Sequence, residues 1–473
     1  MSIHFGTDGW RAVISEEFTF ANVRLVAQAI ADWIGESIDH SQRTMVVGYD
    51  TRFLSDRYAA EVAQVLAANG IQVYLTRQDT PTPVVSHAIR HLGADGGVMV
   101  TASHNPPRYN GLKLKVASGG SASGADCKRV EKYLQRESAP RTMEFAAAEH
   151  HGLIRRFDPV PAYSAHLETM LNCDTIASHP GRVAIDSMHG AGRGHIQTWL
   201  QSTGWEVEEI HSELNPGFGG FHPEPIMPHL QALQKMVLAG RFSLGLATDG
   251  DADRIGAIDE RGRFVSPQSI FALALRYLVE DRNLRGTVVR SISMTNMIDR
   301  LCARYRLPIV ETPVGFSHIA KLMADHDVLI GGEESGGITL RGHVPVGDGI
   351  LLGLLLLEIV SSYGTTLAEL LDDLQATVGP AFYARQDLTV PIQINKHSMT
   401  ERLSQNVPQR IGEFVVEHIQ LNDGLKYLLR NGAWLLIRPS GTEPVLRIYA
   451  EAPEQSGLSS LLDYGRSIAA SVA

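Results

Sequence analysis

Short apolar runs alternate with longer segments of helical spacing along most of the chain, the pattern of stacked α/β units. Met45-Val46-Val47-Gly48-Tyr49 reads as a strand, Ser55 to Asn69 as a helix, and Ile71 to Leu75 as the next strand. Pro83 to Leu92 is helical, and Gly97-Val98-Met99-Val100 is a buried strand leading into Thr101-Ala102-Ser103-His104-Asn105-Pro106. In sheets of this kind, chemistry gathers where strands end and loops begin.

The pattern restarts twice. Val183-Ala184-Ile185-Asp186 enters a glycine-rich turn (Gly190, Gly192, Gly194), and that unit closes with Leu244 to Thr248 feeding Asp249-Gly250-Asp251-Ala252-Asp253-Arg254. A third unit has strands near Val288-Val289 and Val328-Leu329-Ile330, the latter delivering Gly331-Gly332-Glu333-Glu334-Ser335-Gly336-Gly337. Beyond it, strands dominate (Trp434 to Ile437, Val445 to Tyr449) and only a final helix after Pro453 is expected. The expected organisation is α/β: units at 1–150, 151–255 and 256–372, then a C-terminal α+β domain at 373–473. A chain of 473 residues is too long for one core and suits several domains.

Charge narrows the partners. With 42 basic and 52 acidic side chains and a net charge of -10, neither nucleic acid nor an anionic membrane is expected as the main partner. An anionic small molecule remains compatible, because a local group of Arg and Lys can bind it within an acidic protein. Cys127, Cys173 and Cys302 are far apart and in no ligand spacing, as free thiols of a reducing compartment would be. The start, Met1-Ser2-Ile3-His4-Phe5-Gly6, lacks a basic segment followed by an apolar one, and the apolar stretch Ile350 to Leu357 stops at Glu358. A cytoplasmic location is the expectation.

Five segments carry candidate chemistry. Asp249, Asp251 and Asp253 alternate at a strand end, and carboxylates so close repel one another unless a cation holds them. Oxygen-only ligands favour Mg²⁺. A calcium loop of the EF-hand kind would place Glu260 at its twelfth position but needs Gly where Arg254 stands; a solvated acidic turn is the plainest alternative. Ser103 sits with Thr101, His104 and Asn105, ahead of Lys113. A serine hydroxyl needs a nearby base or cation to act as nucleophile, which His104 and Lys113 could supply, though such residues also make turns. Arg438-Pro439-Ser440-Gly441-Thr442-Glu443 suits an anion cradle, with an Arg fork, two hydroxyls and a glycine amide; it is also a Pro-Gly β-turn. Glu333 and Ser335, between glycine pairs, suit vicinal sugar hydroxyls or a helix cap. Phe5-Gly6-Thr7-Asp8-Gly9-Trp10-Arg11 bends at two glycines and presents Arg11 to a phosphate, or anchors the first strand.

In this order, these segments resemble the α-D-phosphohexomutase superfamily along the whole chain. The resemblance implies four domains around a central cleft and a phosphosugar substrate handled through a phosphoserine. By position, Ser103 becomes the phosphoserine; Asp249, Asp251 and Asp253 become Mg²⁺ ligands, with the Ser103 phosphate as a further ligand. Arg254, His104, Lys113 and Arg11 would surround the transferring group. Glu333 and Ser335 would read the 3- and 4-hydroxyls, with Gly315 in the neighbouring loop. Arg438, Ser440, Gly441 and Thr442 would hold the phosphate that is not reacting.

The implied reaction interconverts hexose 1-phosphate and hexose 6-phosphate through glucose 1,6-bisphosphate or its analogue, as activator and intermediate. A synthase that releases the bisphosphate would use the same groups, and a phosphosugar-binding sensor would need neither nucleophile nor metal. Gly337 stands where mannose-type members commonly carry His, and the Glu-Glu-Ser-Gly form resembles phosphoglucomutases. Ser317 stands where many of those have Lys, and Arg108 replaces a commonly acidic residue. The expected order of preference is glucose, mannose, then glucosamine phosphates.

Overall fold

The computed structural model describes residues 3–6, 9–38, 42–136, 139–440 and 444–472. Four β-sheets succeed one another along the chain. The first runs in the order Trp10–Val13, Tyr109–Val116, Gly96–Val100, Thr44–Tyr49, Gln72–Thr76, Ile154–Phe157. Its last four strands are parallel and its first two antiparallel. The second has the order Phe264–Val265, Ile255–Asp259, Leu244–Thr248, Arg182–Asp186, Glu206–Ile210, and the third Ile309–Thr312, Thr287–Ser291, Val328–Gly332, Ile338–Leu340. Both combine parallel strands with an antiparallel edge. The fourth, from Phe382–Thr389 to Val445–Ala452, Trp434–Pro439, Leu425–Leu429, Phe414–Gln420 and Arg410–Ile411, is antiparallel throughout.

One local device recurs four times. A buried strand ends in a short loop and the chain returns as its antiparallel neighbour: Gly96–Val100 to Tyr109–Val116, Leu244–Thr248 to Ile255–Asp259, Val328–Gly332 to Ile338–Leu340, Trp434–Pro439 to Val445–Ala452. The loops so formed carry Ser103, the three aspartates, Glu333 with Ser335, and Ser440. A hairpin pins both ends of each loop to a ladder of backbone hydrogen bonds.

Three expectations need correction. The breaks expected at 150 and 255 fall inside sheets, because Ile154–Phe157 completes the first sheet and Ile255–Asp259 with Phe264–Val265 belongs to the second. The aspartate loop is a hairpin turn, and the chain turns again at Gly262 (φ 77°) where Asp259 accepts the Arg261 and Arg263 amides. The last domain also contains a helix at Lys396–Ser404, capped by Asn395, which a pattern dominated by strands concealed. Finally, Glu358 does not end the apolar stretch. It lies fully buried within the helix Gly349–Tyr363, bonded by Arg282, the Tyr277 hydroxyl (2.7 Å) and the Asn172 amide (2.9 Å).

That helix joins the second and third units. A side chain at Gly353 would lie 3.2–3.5 Å from Ile196, Leu246 and Ile255 of the second unit. The two units share one continuous apolar core, whereas the first and fourth each have their own. Each fully buried Leu of this helix contributes about 1.5–3 kcal/mol by leaving water. Among the described residues, no single helix is long and apolar enough to cross a membrane. The fourth unit docks on the third through Lys426 Nζ to the Ile292 carbonyl (2.7 Å), the Asn296 amide to Glu451 (3.1 Å) and the Val314 amide to Asp423 (2.9 Å).

Candidate active site

Ser103 is fully buried, at φ 53° in the left-handed region that non-glycine residues avoid. Its amide donates to Thr101 Oγ1 (2.8 Å), and its hydroxyl donates to Asp249 Oδ2 at 2.7 Å, with His104 Nδ1 3.4 Å away. Two residues unremarked in the sequence hold this loop in place. Arg52 donates to the carbonyls of Pro106 and Tyr109 (both 2.9 Å), Asn105 (2.7 Å) and Ser103 (2.5 Å). Asp50 pairs with Arg52 Nε (3.2 Å) and accepts from Thr101 Oγ1 (2.5 Å). Burial pushes the Asp50 carboxyl up to about 6 despite the adjacent guanidinium.

The aspartate loop lies directly against the serine loop. A Cβ on Gly250 would come within 2.5 Å of the Ser103 carbonyl, so only glycine permits this approach. The carboxylates of Asp249, Asp251 and Asp253 present oxygens within 4.8 Å of one another. Lys113 Nζ lies on this group, 2.8 Å from Asp251 Oδ2 and 2.7 Å from Asp253 Oδ2. Thr82, at the start of the helix Thr82–His91, donates to Asp251 Oδ2 at 2.5 Å.

These contacts divide the carboxylates electrostatically. Burial, with Asp253 and Asp251 as neighbours, drives Asp249 well above the usual carboxylate range. Burial acts in the same sense on Asp251, but the Lys113 ammonium and the Thr82 hydroxyl override it and hold that carboxyl below its usual value. The donor set fits a hard divalent cation: it is all oxygen and crowded, with Asp249 and Asp251 buried, and Asp251 Oδ1 has no hydrogen-bond partner.

Cationic groups surround this centre. Arg254 Nε lies 3.8 Å from Asp253 and 4.0 Å from Asp249, and its Nη1 is 3.7 Å from Glu224. Arg11 donates to Asn105 Oδ1 at 2.6 Å, which fixes it beside the serine loop. Burial, then the charges of Arg254, Arg11, Arg385 and Arg447, hold His104 well below its ordinary value, so its imidazole is neutral. Arg385 and Arg447 come from the fourth sheet, which therefore faces the serine loop.

The third loop stands beside the second, since the Ile255 amide donates to the Gly336 carbonyl at 3.3 Å. Glu333 accepts the Gly315 amide at 2.7 Å, and burial raises its carboxyl to about 7. Gly315 itself is at φ 134°, and Ser335 is half-buried in the same turn as Glu333. On the fourth sheet, Arg438 Nε donates to Asp423 Oδ2 at 2.8 Å, and the Ser440 amide to the Val445 carbonyl at 2.8 Å. Arg254 and Arg438 both act electrostatically on Glu333, which links its loop to the aspartate loop and to the fourth domain. Gly441 and Thr442 lie outside the described residues, as do Thr7 and Asp8.

The structure thus brings Ser103, His104, Arg11, Lys113, Arg254 and the three aspartates into one centre, with Gly315, Glu333, Ser335, Arg438 and Ser440 on adjoining loops. Sequence reasoning missed Asp50, Arg52, Thr82, Glu224, Asp423 and Lys396. Asp50 and Arg52 directly follow the strand Thr44–Tyr49, so the strand-end rule that singled out Ser103 also applied to them.

Comparison with known proteins finds one family along the chain. Models described as Phosphoglucomutase/phosphomannomutase, alpha/beta/alpha domains I, II and III match residues 2–141, 161–262 and 266–378, and the C-terminal domain matches 398–464. A Phosphoglucomutase/phosphomannomutase of Thermococcus kodakarensis is 29% identical over 98% of this chain and 97% of its own. A probable phosphoglucosamine mutase of Methanothermobacter thermautotrophicus is 32% identical over 94% of this chain and 93% of its own. The crystal structure of a putative phosphomannomutase from Thermus thermophilus superposes with a TM-score of 0.87 at 34% identity, covering 99% of each chain. The chain belongs to the phosphoglucomutase/phosphomannomutase family and is a mutase of the phosphohexomutase type.

Proposed function

We propose that this mutase interconverts hexose 1-phosphates and 6-phosphates, glucose preferred, by way of phosphorylated Ser103 and a hexose 1,6-bisphosphate. The observation that carries the reading is the 2.7 Å contact between Ser103 Oγ and Asp249 Oδ2, which joins the nucleophile to the carboxylate group. Asp249, Asp251 and Asp253, together with a phosphate on Ser103, would hold Mg²⁺. When bound, the cation supplies charge neutralisation to the transferring phosphoryl group.

The remaining roles follow from the side chains. Arg254 and Arg11 flank the position a phosphoryl group on Ser103 Oγ would occupy, and neutralise its equatorial oxygens. In the forward half-reaction the phosphorus–oxygen bond to Ser103 breaks, and a new one forms to the sugar hydroxyl. The hydroxyl's proton passes to the neutral His104 imidazole and from there to the departing Ser103 oxygen, 3.4 Å from its Nδ1, which leaves as the serine hydroxyl. Glu333 and Ser335 hold the 3- and 4-hydroxyls, with Glu333 fixed by the Gly315 amide. Arg438, Ser440, Gly441 and Thr442 hold the distal phosphate. After the bisphosphate turns over, the same cradle takes the other phosphate, and the reverse transfer restores phosphoserine.

Gly337 supports the glucose preference. A Cβ there would lie 3.3 Å from the Phe316 ring, so any larger side chain would have to displace that ring by a few tenths of an ångström. The test is kcat/KM for glucose, mannose and glucosamine 1-phosphates with Mg²⁺ and bisphosphate saturating. Glucose is expected to lead by about 10–200-fold, the range for a small difference in fit. Equal values, or a lead for another sugar, would reject the preference. Release of stoichiometric bisphosphate would favour a synthase.

A further inference from the structure

We propose that Lys396 is a further ligand of the phosphate held by the fourth domain, beside Arg438 and Ser440. The inference rests on the mutase reading for the identity of the phosphate ester. A pocket of about 370 Å³ opens at the end of the strand Trp434–Pro439, lined by Gln393, Ile394, Asn395, Lys396, Pro439 and Ser440. One wall is therefore the strand end that carries the cradle, and the other is the segment leading into the helix Lys396–Ser404.

A shared carboxylate ties the two walls together. Asp423, with a side chain only 2% exposed, accepts from Arg438 Nε at 2.8 Å and from the Val314 amide at 2.9 Å, and pairs through its other oxygen with Lys396 Nζ. Two positive charges thus meet one negative charge, and the surplus suits a phosphate. The side chain of Arg438 is 7% exposed, that of Lys396 47%, so the ammonium stands at the mouth of the pocket. It has three donors and needs one for Asp423.

The position of this lysine is otherwise unfavourable. It opens its helix, where the backbone dipole disfavours a cation, and no acidic residue occupies that first turn. An anion in the pocket would offset that cost. The two cations also differ usefully: Arg438 is clamped, whereas a lysine is a compact charge on a flexible stem. A fixed fork with a mobile charge can grip either end of a bisphosphate that presents its phosphates in turn.

The experiment is a calorimetric titration with inorganic phosphate, alongside steady-state kinetics with glucose 1-phosphate. Lys396→Met should weaken phosphate binding by about tenfold, the worth of one charge-assisted hydrogen bond, and raise KM to match with kcat within about twofold. Lys396→Arg should retain most of the affinity, and Lys235→Met, an exposed lysine of another domain, should match the wild type. Wild-type phosphate affinity in Lys396→Met would overturn the proposal, as would equal losses in the Met and Arg variants. Because phosphate binding is read without turnover, a wild type that binds phosphate through Lys396 but interconverts no hexose phosphate would refute the mutase reading alone.

Discussion

Arg52 Nη2 donates to the carbonyl of Ser103 at 2.5 Å, so a buried guanidinium 51 residues away in sequence holds the backbone of the proposed nucleophile. Four carbonyls of one loop converge on this side chain, and Asp50 balances its charge. The left-handed conformation of Ser103 persists because this brace over-determines it.

Removing the brace should therefore damage catalysis without touching substrate. Arg52→Met leaves Asp50 buried and uncompensated, a loss on the order of 3–5 kcal/mol in comparable buried pairs. The expected outcome is a lower Tm by thermal melt and a kcat reduced by about 100-fold, with KM for glucose 1-phosphate nearly unchanged. Wild-type kcat in a folded Arg52→Met protein would contradict the brace.

The aspartate loop gives a second expectation. Activity should fall to background in excess chelator and return with Mg²⁺. Asp251→Asn should lower kcat by about 100-fold or more, as loss of a major electrostatic contributor does. Full activity in chelator would remove the metal from the account.

A third concerns acid. His87, His166 and His343 stack where the first three units meet, with centroids 4.8 and 5.2 Å apart, and His91 stacks on His87 at 5.7 Å. Arg90, Tyr163 and Asp348 face the same group. Burial first, then neighbouring histidines, lowers His87 to about 3 and His166 to about 4, against 6.5 for the ordinary imidazole. Below about pH 6.5 the unfolded chain takes up protons that the folded chain refuses, so stability is complete above that pH and declines towards 4 and 3. The double variant His87→Gln/His166→Gln should show a shallower fall of Tm between pH 7 and 4.5. Parallel curves for variant and wild type would contradict this.

The sequence exposed what lies at strand ends and little of what holds those ends together. The strands around Val46, Val98, Leu246 and Leu329 were legible because parallel strands buried on both faces are continuous apolar runs. Ser103, Asp251 and Glu333 followed from them. The returning strands Tyr109–Val116 and Ile255–Asp259 were not, because a hairpin that carries a functional loop has charged residues where a turn signal is expected. Arg52, Asp423 and Lys396 act through partners 51, 15 and 27 residues away, and no local pattern reveals such pairings.

The central claim is that Ser103 carries the phosphoryl group in turnover. The direct measurement is peptide-resolved mass spectrometry after incubation with Mg²⁺ and glucose 1,6-bisphosphate, followed by a chase with glucose 1-phosphate. One phosphate should appear on the Ser103 peptide, leave during the chase as glucose 6-phosphate forms, and be absent from Ser103→Ala, which should not turn over. An unmodified Ser103 in an actively turning-over wild type, or near-normal turnover by Ser103→Ala, would contradict the account.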